Sequence, residues 1–243
     1  QQIVPLKINY RDYITYTQHQ REDINFLNKF YEDKAYWKNK IDLLPGKPEI
    51  YTSVDFTDTE SKTFFQKKYT LNISKWEKFE EKCRKYHITP TAMMLLQYCL
   101  TLKQWSKNKD FLINITVMQR PNIHDDIQKI IGDFTSTTLF EFKESDSNSI
   151  KEQATQTQKI LFDNLTHNAF SGIEVLRELK RKDKESIIPY VFTSTVGSGN
   201  KENILQKRQL LYKISETPQV LIDCQVSKTI DGVLVNWDVR EGV

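Results

Sequence analysis

Glycine is scarce in this 243-residue chain, with seven residues and no GxGxxG or GxxxxGK arrangement among them. Loops that cradle nucleotide phosphates need glycine for their tight turns and close backbone approach, so dinucleotide and P-loop chemistry are excluded. A GxSxG elbow is also missing, and none of the four histidines (His19, His87, His124, His167) has a nucleophile partner or metal-ligand spacing in sequence. Cysteine is limited to Cys83, Cys99 and Cys224, too far apart for a zinc or redox motif. Each sits among apolar neighbours, the expectation for reduced, buried thiols. Charge of one sign is not in excess: 35 basic side chains face 32 acidic ones, which argues against nucleic-acid or membrane partners. The densest basic run, KRKDKE (Lys180 to Glu185), is broken by acids and reads as a solvated helix end. No apolar run reaches membrane-spanning length, and the opening QQIVPLKINYRDY lacks the order of a signal peptide. These absences predict a cytoplasmic protein. The chain has no initiating Met and stops at VREGV just after a strand-like run, the expectation for a piece of something longer.

What is present is an irregular interleaving of helices and strands. Apolar residues recur at helical spacing from Glu22 to Ile41, before the breakers Pro45, Gly46 and Pro48. Lys62 to Leu71 reads as a strand, and Ser74 with Glu77 has the spacing of a capping box for a helix running to about Tyr86. Thr89 followed by Pro90 marks the start of a helix apolar nearly all round, hence buried and central. FLINITVM (Phe111 to Met118) and FTSTTLFEF (Phe134 to Phe142) are rich in β-branched and aromatic residues and predict strands. Helices are expected from about Ser149 to Leu165 and from Gly172 to Lys182. Three further strands follow, in PYVFTSTVG (Pro189 to Gly197), TPQVLIDCQV (Thr217 to Val226) and DGVLVNWDV. The pattern predicts an α/β layer sandwich with a mixed sheet. Asp42 to Glu60 is the only candidate linker, so residues 1–50 are read as a connector with its leading helix and 51–243 as the main body.

Polar residues embedded in these strands are the candidates for chemistry: Asn114, Thr116, Thr193, Ser194, Thr195, Asp223 and Gln225. In TPQVLIDCQV, strict alternation places Val220, Ile222, Cys224 and Val226 on one face and Gln219, Leu221, Asp223 and Gln225 on the other. On that stretch alone Asp223 fits a solvent-facing edge as well as a cleft. Alternation also sends Thr193 and Ser194 to opposite faces unless the strand bulges. Asn114 fits a hydrogen-bond bracket between strands as well as a catalytic group. Asp133 of GDFTS reads as a turn residue capping local amides, and Trp237 as core.

Taken together, TPTAMMLLQYCLTLKQWS, INITVMQRP, IGDFTSTTLFEF, PYVFTSTVG and TPQVLIDCQV resemble, in order and rough spacing, the later motifs of heterocyclization domains of nonribosomal peptide synthetases. YRDY (Tyr10 to Tyr13) and the pair Tyr36, Trp37 resemble earlier elements of that family, so the likeness covers nearly the whole chain. The resemblance implies a chloramphenicol acetyltransferase-like fold and the C-terminal one of two lobes. Its partners would be the N-terminal lobe, upstream and downstream peptidyl carrier proteins and an adenylation domain. It implies no cofactor bound directly, the substrates being carried on phosphopantetheine arms. The family's DxxxxD signature and the HHxxxDG of ordinary condensation domains, both first-lobe features, are absent here. Cys224 stands where the family commonly has histidine, and Leu221 and Ile222 where it has a more aromatic pair.

The implied chemistry is amide formation from a carrier-bound Cys, Ser or Thr, followed by attack of its side chain on the new amide and loss of water to give a thiazoline or oxazoline. The second half needs a proton donor and acceptor. Carried over through their motifs, Asp223 is the implied acid/base and Thr193 the group that hydrogen-bonds it or the reacting oxygen. Asn114, Ser194 and Gln225 are implied to orient substrate, with Ser194 as support for Thr193. A non-catalytic lobe that docks carrier proteins, an ordinary condensation domain and a free-standing acyltransferase are the alternatives.

Overall fold

The computed structural model describes residues 5–53, 63–144, 149–196 and 219–243. Six strands form one mixed sheet: β1 (Phe64–Asn72), β2 (Phe111–Met118), β3 (Thr135–Phe142), β4 (Tyr190–Ser194), β5 (Ile222–Thr229) and β6 (Gly232–Arg240), in the order β1-β6-β5-β4-β2-β3. β4 runs parallel to β2 and β5, and the remaining pairings are antiparallel. The helices are α1 (Tyr10–Gln20), α2 (Ile24–Ile41), α3 (Ile73–Lys85), α4 (Pro90–Trp105), α5 (Ile150–Thr166) and α6 (Gly172–Arg181). The predicted α/β sandwich with a mixed sheet is the fold observed.

Helix boundaries follow capping chemistry. Thr89 accepts the Ala92 N–H at 3.2 Å with Pro90 at the first helical position, as the sequence predicts for α4. In α3 the cap is Asn72, which accepts the Lys75 N–H at 3.0 Å, so the helix starts before the Ser74 and Glu77 pair read as its capping box. β1 leads into α3 without a loop, and the cap falls at the strand's last residue. α1 was not predicted; Asn9 and Asp12 close it with a reciprocal capping box. Its Tyr13 packs with Ile127, Ile130 and Phe134 in a small satellite core.

One sheet face carries the main core. Phe111, Ile113 and Ile115 of β2, Tyr190 and Phe192 of β4, and Ile222, Cys224 and Val226 of β5 pack with Leu95, Leu96, Tyr98, Cys99 and Leu102 of α4. The three cysteines are free and buried, matching expectation. Trp237, read as core, is only partly buried, at the margin of this cluster.

The opposite face is divided. Around Leu112 of β2 and Leu139 of β3 it is apolar, covered by Trp37 and Ile41 of α2 and Val175 and Leu179 of α6. The leading helix is thus part of the layered body. Buried Asp33 ties it down, accepting Lys29 Nζ and the Ala169 N–H at 2.8 Å each. The run read as a solvated helix end also holds α2: Lys184 Nζ donates to the carbonyls of Ile41 at 2.8 Å and Asp42 at 2.7 Å, capping the helix C-terminus with positive charge. Lys182 pairs with Asp42 and Glu185 with Lys47. From Asn114 and Thr116 of β2 across β4 and β5 the same face turns polar, and the candidate site lies there.

Candidate active site

Strand register sets two polar rows across the sheet. In the first, Asn114 of β2 faces Val191 of β4, which faces Asp223 of β5, which faces Asp238 of β6, which faces Gln66 of β1. In the second, Thr193 faces Gln225, and Gln225 faces Asn236. Thr116 lies one residue beyond the Ile115–Phe192 pair, beside Thr193. Because side chains alternate with period two, all these residues point away from the main core. Asp223 is therefore on the face that the predicted alternation assigned to it.

A cavity of about 490 Å³ opens over these rows. Asn114, Thr116, Thr193, Asp223 and Gln225 form its floor, and Leu176 of α6 and Ser186 to Ile188 form a wall. Helix α6 comes close to the sheet because Gly172 has no Cβ; one there would meet the Thr137 carbonyl oxygen at 2.9 Å. The other wall residues follow Lys184 and Glu185, whose contacts with the end of α2 and with Lys47 beyond it fix the segment leading into β4.

Within the cavity Thr193 Oγ1 lies 2.9 Å from Thr116 Oγ1 and 3.4 Å from Asp223 Oδ1. Gln225 Nε2 donates to Asp223 Oδ2 at 2.5 Å. Asp223 is thus gripped at each oxygen, half-buried and open to the cavity. Asn114 Nδ2 donates to the Ile188 carbonyl at 2.6 Å, tying β2 to the segment that leads into β4, while its buried Oδ1 has no partner among the described residues.

Ser194 is not brought into this site. β4 runs without a bulge, so Ser194 faces the helical side, its Oγ 3.3 Å from Thr91 Oγ1 at the start of α4. Its assignment as a substrate-orienting residue is corrected: it joins β4 to α4 behind the cavity. Thr195 ends the strand, its N–H donating to the Val226 carbonyl at 2.9 Å. Gln225 lies on the cavity floor and directs its amide nitrogen at two carboxylates, Asp223 Oδ2 at 2.5 Å and Asp238 Oδ2 at 3.1 Å.

The alternation in TPQVLIDCQV holds from Ile222 to Val226 and fails before it. Leu221 is buried in the main core and Val220 lines the cavity. The strand begins only at Ile222, because the Pro189 carbonyl accepts both the Leu221 N–H at 2.8 Å and the Ile222 N–H at 3.3 Å, turning the chain as it enters the sheet. Thr217 and Pro218 lie outside the described residues, as do Gly197, Lys62 and positions 54–60 of the candidate linker. Asp133 behaves as expected, accepting the Thr135 N–H at 2.8 Å within its turn. Sequence reading missed the polar partners behind Asp223: Gln66, Asn236 and Asp238. The signal was available in VNWDVR, where Asn236, Asp238 and Arg240 alternate with Val235, Trp237 and Val239.

Comparison with known proteins gives the family. The Condensation domain family model matches residues 1–231. The chain belongs to the condensation-domain family. Among curated relatives, pyochelin synthetase PchF of Pseudomonas aeruginosa is 32% identical over 246 residues, covering 98% of this chain and 13% of that protein. Phenyloxazoline synthase MbtB of Mycobacterium tuberculosis is 31% identical over 215 residues, covering 87% of this chain and 15% of that protein. Among solved structures, the EpoB cyclization-docking bidomain of Sorangium cellulosum superposes with a TM-score of 0.86 at 24% identity, covering 100% of this chain and 49% of that one. The fold is the chloramphenicol acetyltransferase-like architecture of condensation domains, and the family is the amide-forming one of peptide synthetases. This condensation-family chain spans a small fraction of its curated relatives' length. Among its described residues no helix is long and apolar enough to cross a membrane.

Proposed function

We propose that the chain is the C-terminal lobe of a heterocyclization domain, in which amide formation is followed by cyclodehydration of a carrier-bound Cys, Ser or Thr to a thiazoline or oxazoline. The observation that carries this reading is the contact of the Thr193 hydroxyl with Asp223 at 3.4 Å on the floor of an open cavity. Amide formation alone transfers an acyl group from a thioester to an amine, a reactive electrophile meeting a good nucleophile. Cyclodehydration is harder, because an amide carbonyl is a weak electrophile and hydroxide a poor leaving group.

The geometry supplies what that second step needs. As the substrate's thiol or hydroxyl attacks the amide carbon, Asp223 takes its proton and passes it to the carbonyl oxygen, which becomes a hydroxyl on a tetrahedral carbon. Asp223 then takes the proton of the ring nitrogen and hands it to that hydroxyl, which leaves as water as the C=N bond forms. Thr193 sits beside the proton path and holds Asp223 Oδ1, while Gln225 holds Oδ2, so the carboxylate moves little between the two transfers. The names of the relatives agree with this reading, phenyloxazoline synthase among them. The substrates would arrive on phosphopantetheine arms of upstream and downstream carrier proteins, with an adenylation domain loading the residue to be cyclized, in the cytoplasm. The N-terminal lobe would close the open side of the cavity.

The reading is tested by loading the carriers of the intact synthetase with acyl donor and with Cys, Ser or Thr, then analysing the carrier-bound product by mass spectrometry. A ring product, lighter than the linear amide by one water, is expected from the intact protein, and no turnover from the 243-residue chain alone. Release of only the linear amide would move the assignment to ordinary condensation. No amide at all would leave a lobe that docks carriers.

A further inference from the structure

Behind Asp223 lies a second carboxylate that the reaction as described does not use. Asp238 occupies the position directly opposite Asp223 in the β5–β6 pairing, and both side chains emerge on the cavity face of the sheet. Asp238 is 1% exposed, so it meets neither solvent nor substrate directly. Two carboxylates at facing positions repel one another unless a donor stands between them. The Gln225 amide nitrogen is that donor, 2.5 Å from Asp223 Oδ2 and 3.1 Å from Asp238 Oδ2.

We propose that Asp238 is a positioning residue for Asp223, acting by locking the orientation of the Gln225 amide. An amide side chain can turn over and exchange its donor NH2 for its acceptor oxygen at little cost unless a neighbour distinguishes them. Here the neighbour does. Asp238 Oδ1 accepts Gln66 Nε2 at 2.7 Å from β1 and Asn236 Nδ2 at 2.8 Å from its own strand, which pins the carboxylate from two sides and leaves Oδ2 facing Gln225. That oxygen calls for a donor. Gln225 is therefore held with Nε2 toward both aspartates, Asp223 Oδ2 receives a hydrogen bond in place of an opposing oxygen, and Asp223 Oδ1 stays aimed at Thr193. The chain of control runs from the edge strand β1 through β6 to the acid/base group on β5.

This inference rests on the role given to Asp223 above, and the decisive substitution is Asp238→Asn, nearly equal in size and shape. The asparagine can offer its own NH2 to Gln225 and so let the Gln225 amide turn its oxygen toward Asp223. In the intact synthetase with loaded carriers, Asp238→Asn is expected to lower the rate of ring closure about tenfold to a hundredfold, the scale of losing a hydrogen bond to a charged group. The rate of amide formation and the KM for the carrier-bound substrate should stay within about twofold of the parent. Gln66→Leu, on the edge strand, removes one anchor of Asp238 and is expected to move the ratio of ring to linear product in the same direction by severalfold, which keeps the test open if Asp238→Asn folds poorly. Ring closure at the parental rate in both variants overturns the proposal. So does a parallel fall of amide formation and ring closure, which marks a structural residue only. Asp223→Asn measured alongside separates the two ideas: if it closes rings normally the role of Asp223 itself is wrong, whereas loss of closure there with normal closure in Asp238→Asn rejects the lock alone.

Discussion

Thr193 and Ser194 show how much a single position in a strand decides. Adjacent in sequence and alike in chemistry, they point to opposite sides of β4, one to Asp223 and the other to Thr91. Replacing Thr193 with Val keeps the shape and removes the hydroxyl. Ring closure should then fall about tenfold to a hundredfold, while amide formation is retained and Thr193→Ser restores most of the loss. Product ratios on the loaded carrier measure this, and an unchanged ratio in Thr193→Val would remove the hydroxyl from the mechanism. Ser194→Ala should leave both steps near the parental rate, since its hydroxyl serves a contact behind the sheet. The residue scale was the most legible in sequence. Period-two alternation separated Thr193 from Ser194 and placed Asp223 with Gln225, because a regular strand leaves a side chain no third choice. What alternation could not convey is where a strand begins, and so Leu221 and Val220 exchanged faces at the turn into β5.

At the scale of elements, the polar rows exist only because β5 and β6 pair in one register, and their hairpin sets it. Gly232 opens β6 at φ +139°, and a Cβ there would come within 2.1 Å of the Leu71 carbonyl oxygen. Gly232→Ala should therefore destabilise the protein by about 1–3 kcal/mol through backbone strain, with further loss from the clash against β1. Urea unfolding measures it, and an unchanged midpoint would contradict the account of this turn. Most elements were readable from periodicity and caps, with Thr89 and Pro90 fixing the start of α4. α1 was not, because Tyr10, Tyr13, Ile14, Thr15, Tyr16 and Thr17 mix aromatic and β-branched residues with no clear helical period. Its capping box and the Tyr13 contact with Phe134, at 4.5 Å between ring centroids, supply what propensity lacks. The Asn236, Asp238 and Arg240 series was written in the sequence as plainly as Asp223. Trp237 between them gives that strand the look of a core strand and masks the polar row.

For the molecule as a whole, one sheet face is dry throughout and the other is polar only around the candidate site, and titration should report the buried groups. Burial pushes the thiols of Cys99 and Cys224 above the ordinary 9.0, and the phenols of Tyr98 and Tyr190 above the ordinary 10.0. The unfolded chain therefore loses these protons at a pH where the folded chain keeps them, and stability should fall as pH rises above about 9. Lys40, whose ammonium burial pushes down, works in the opposite sense but is one group against seven thiols and phenols, since burial also raises Cys83, Tyr13 and Tyr36. Urea midpoints at about pH 8 and about pH 10 test this, and equal midpoints would contradict it. Conversely, the proposed reaction on the polar side requires Asp223 to move protons during ring closure and leaves it dispensable for making the amide. The most direct measurement is the mass of the carrier-bound product in the intact synthetase bearing Asp223→Asn. The linear amide should accumulate, heavier than the parental product by one water, with ring closure slowed about a hundredfold or more; ring product formed at the parental rate would contradict the account.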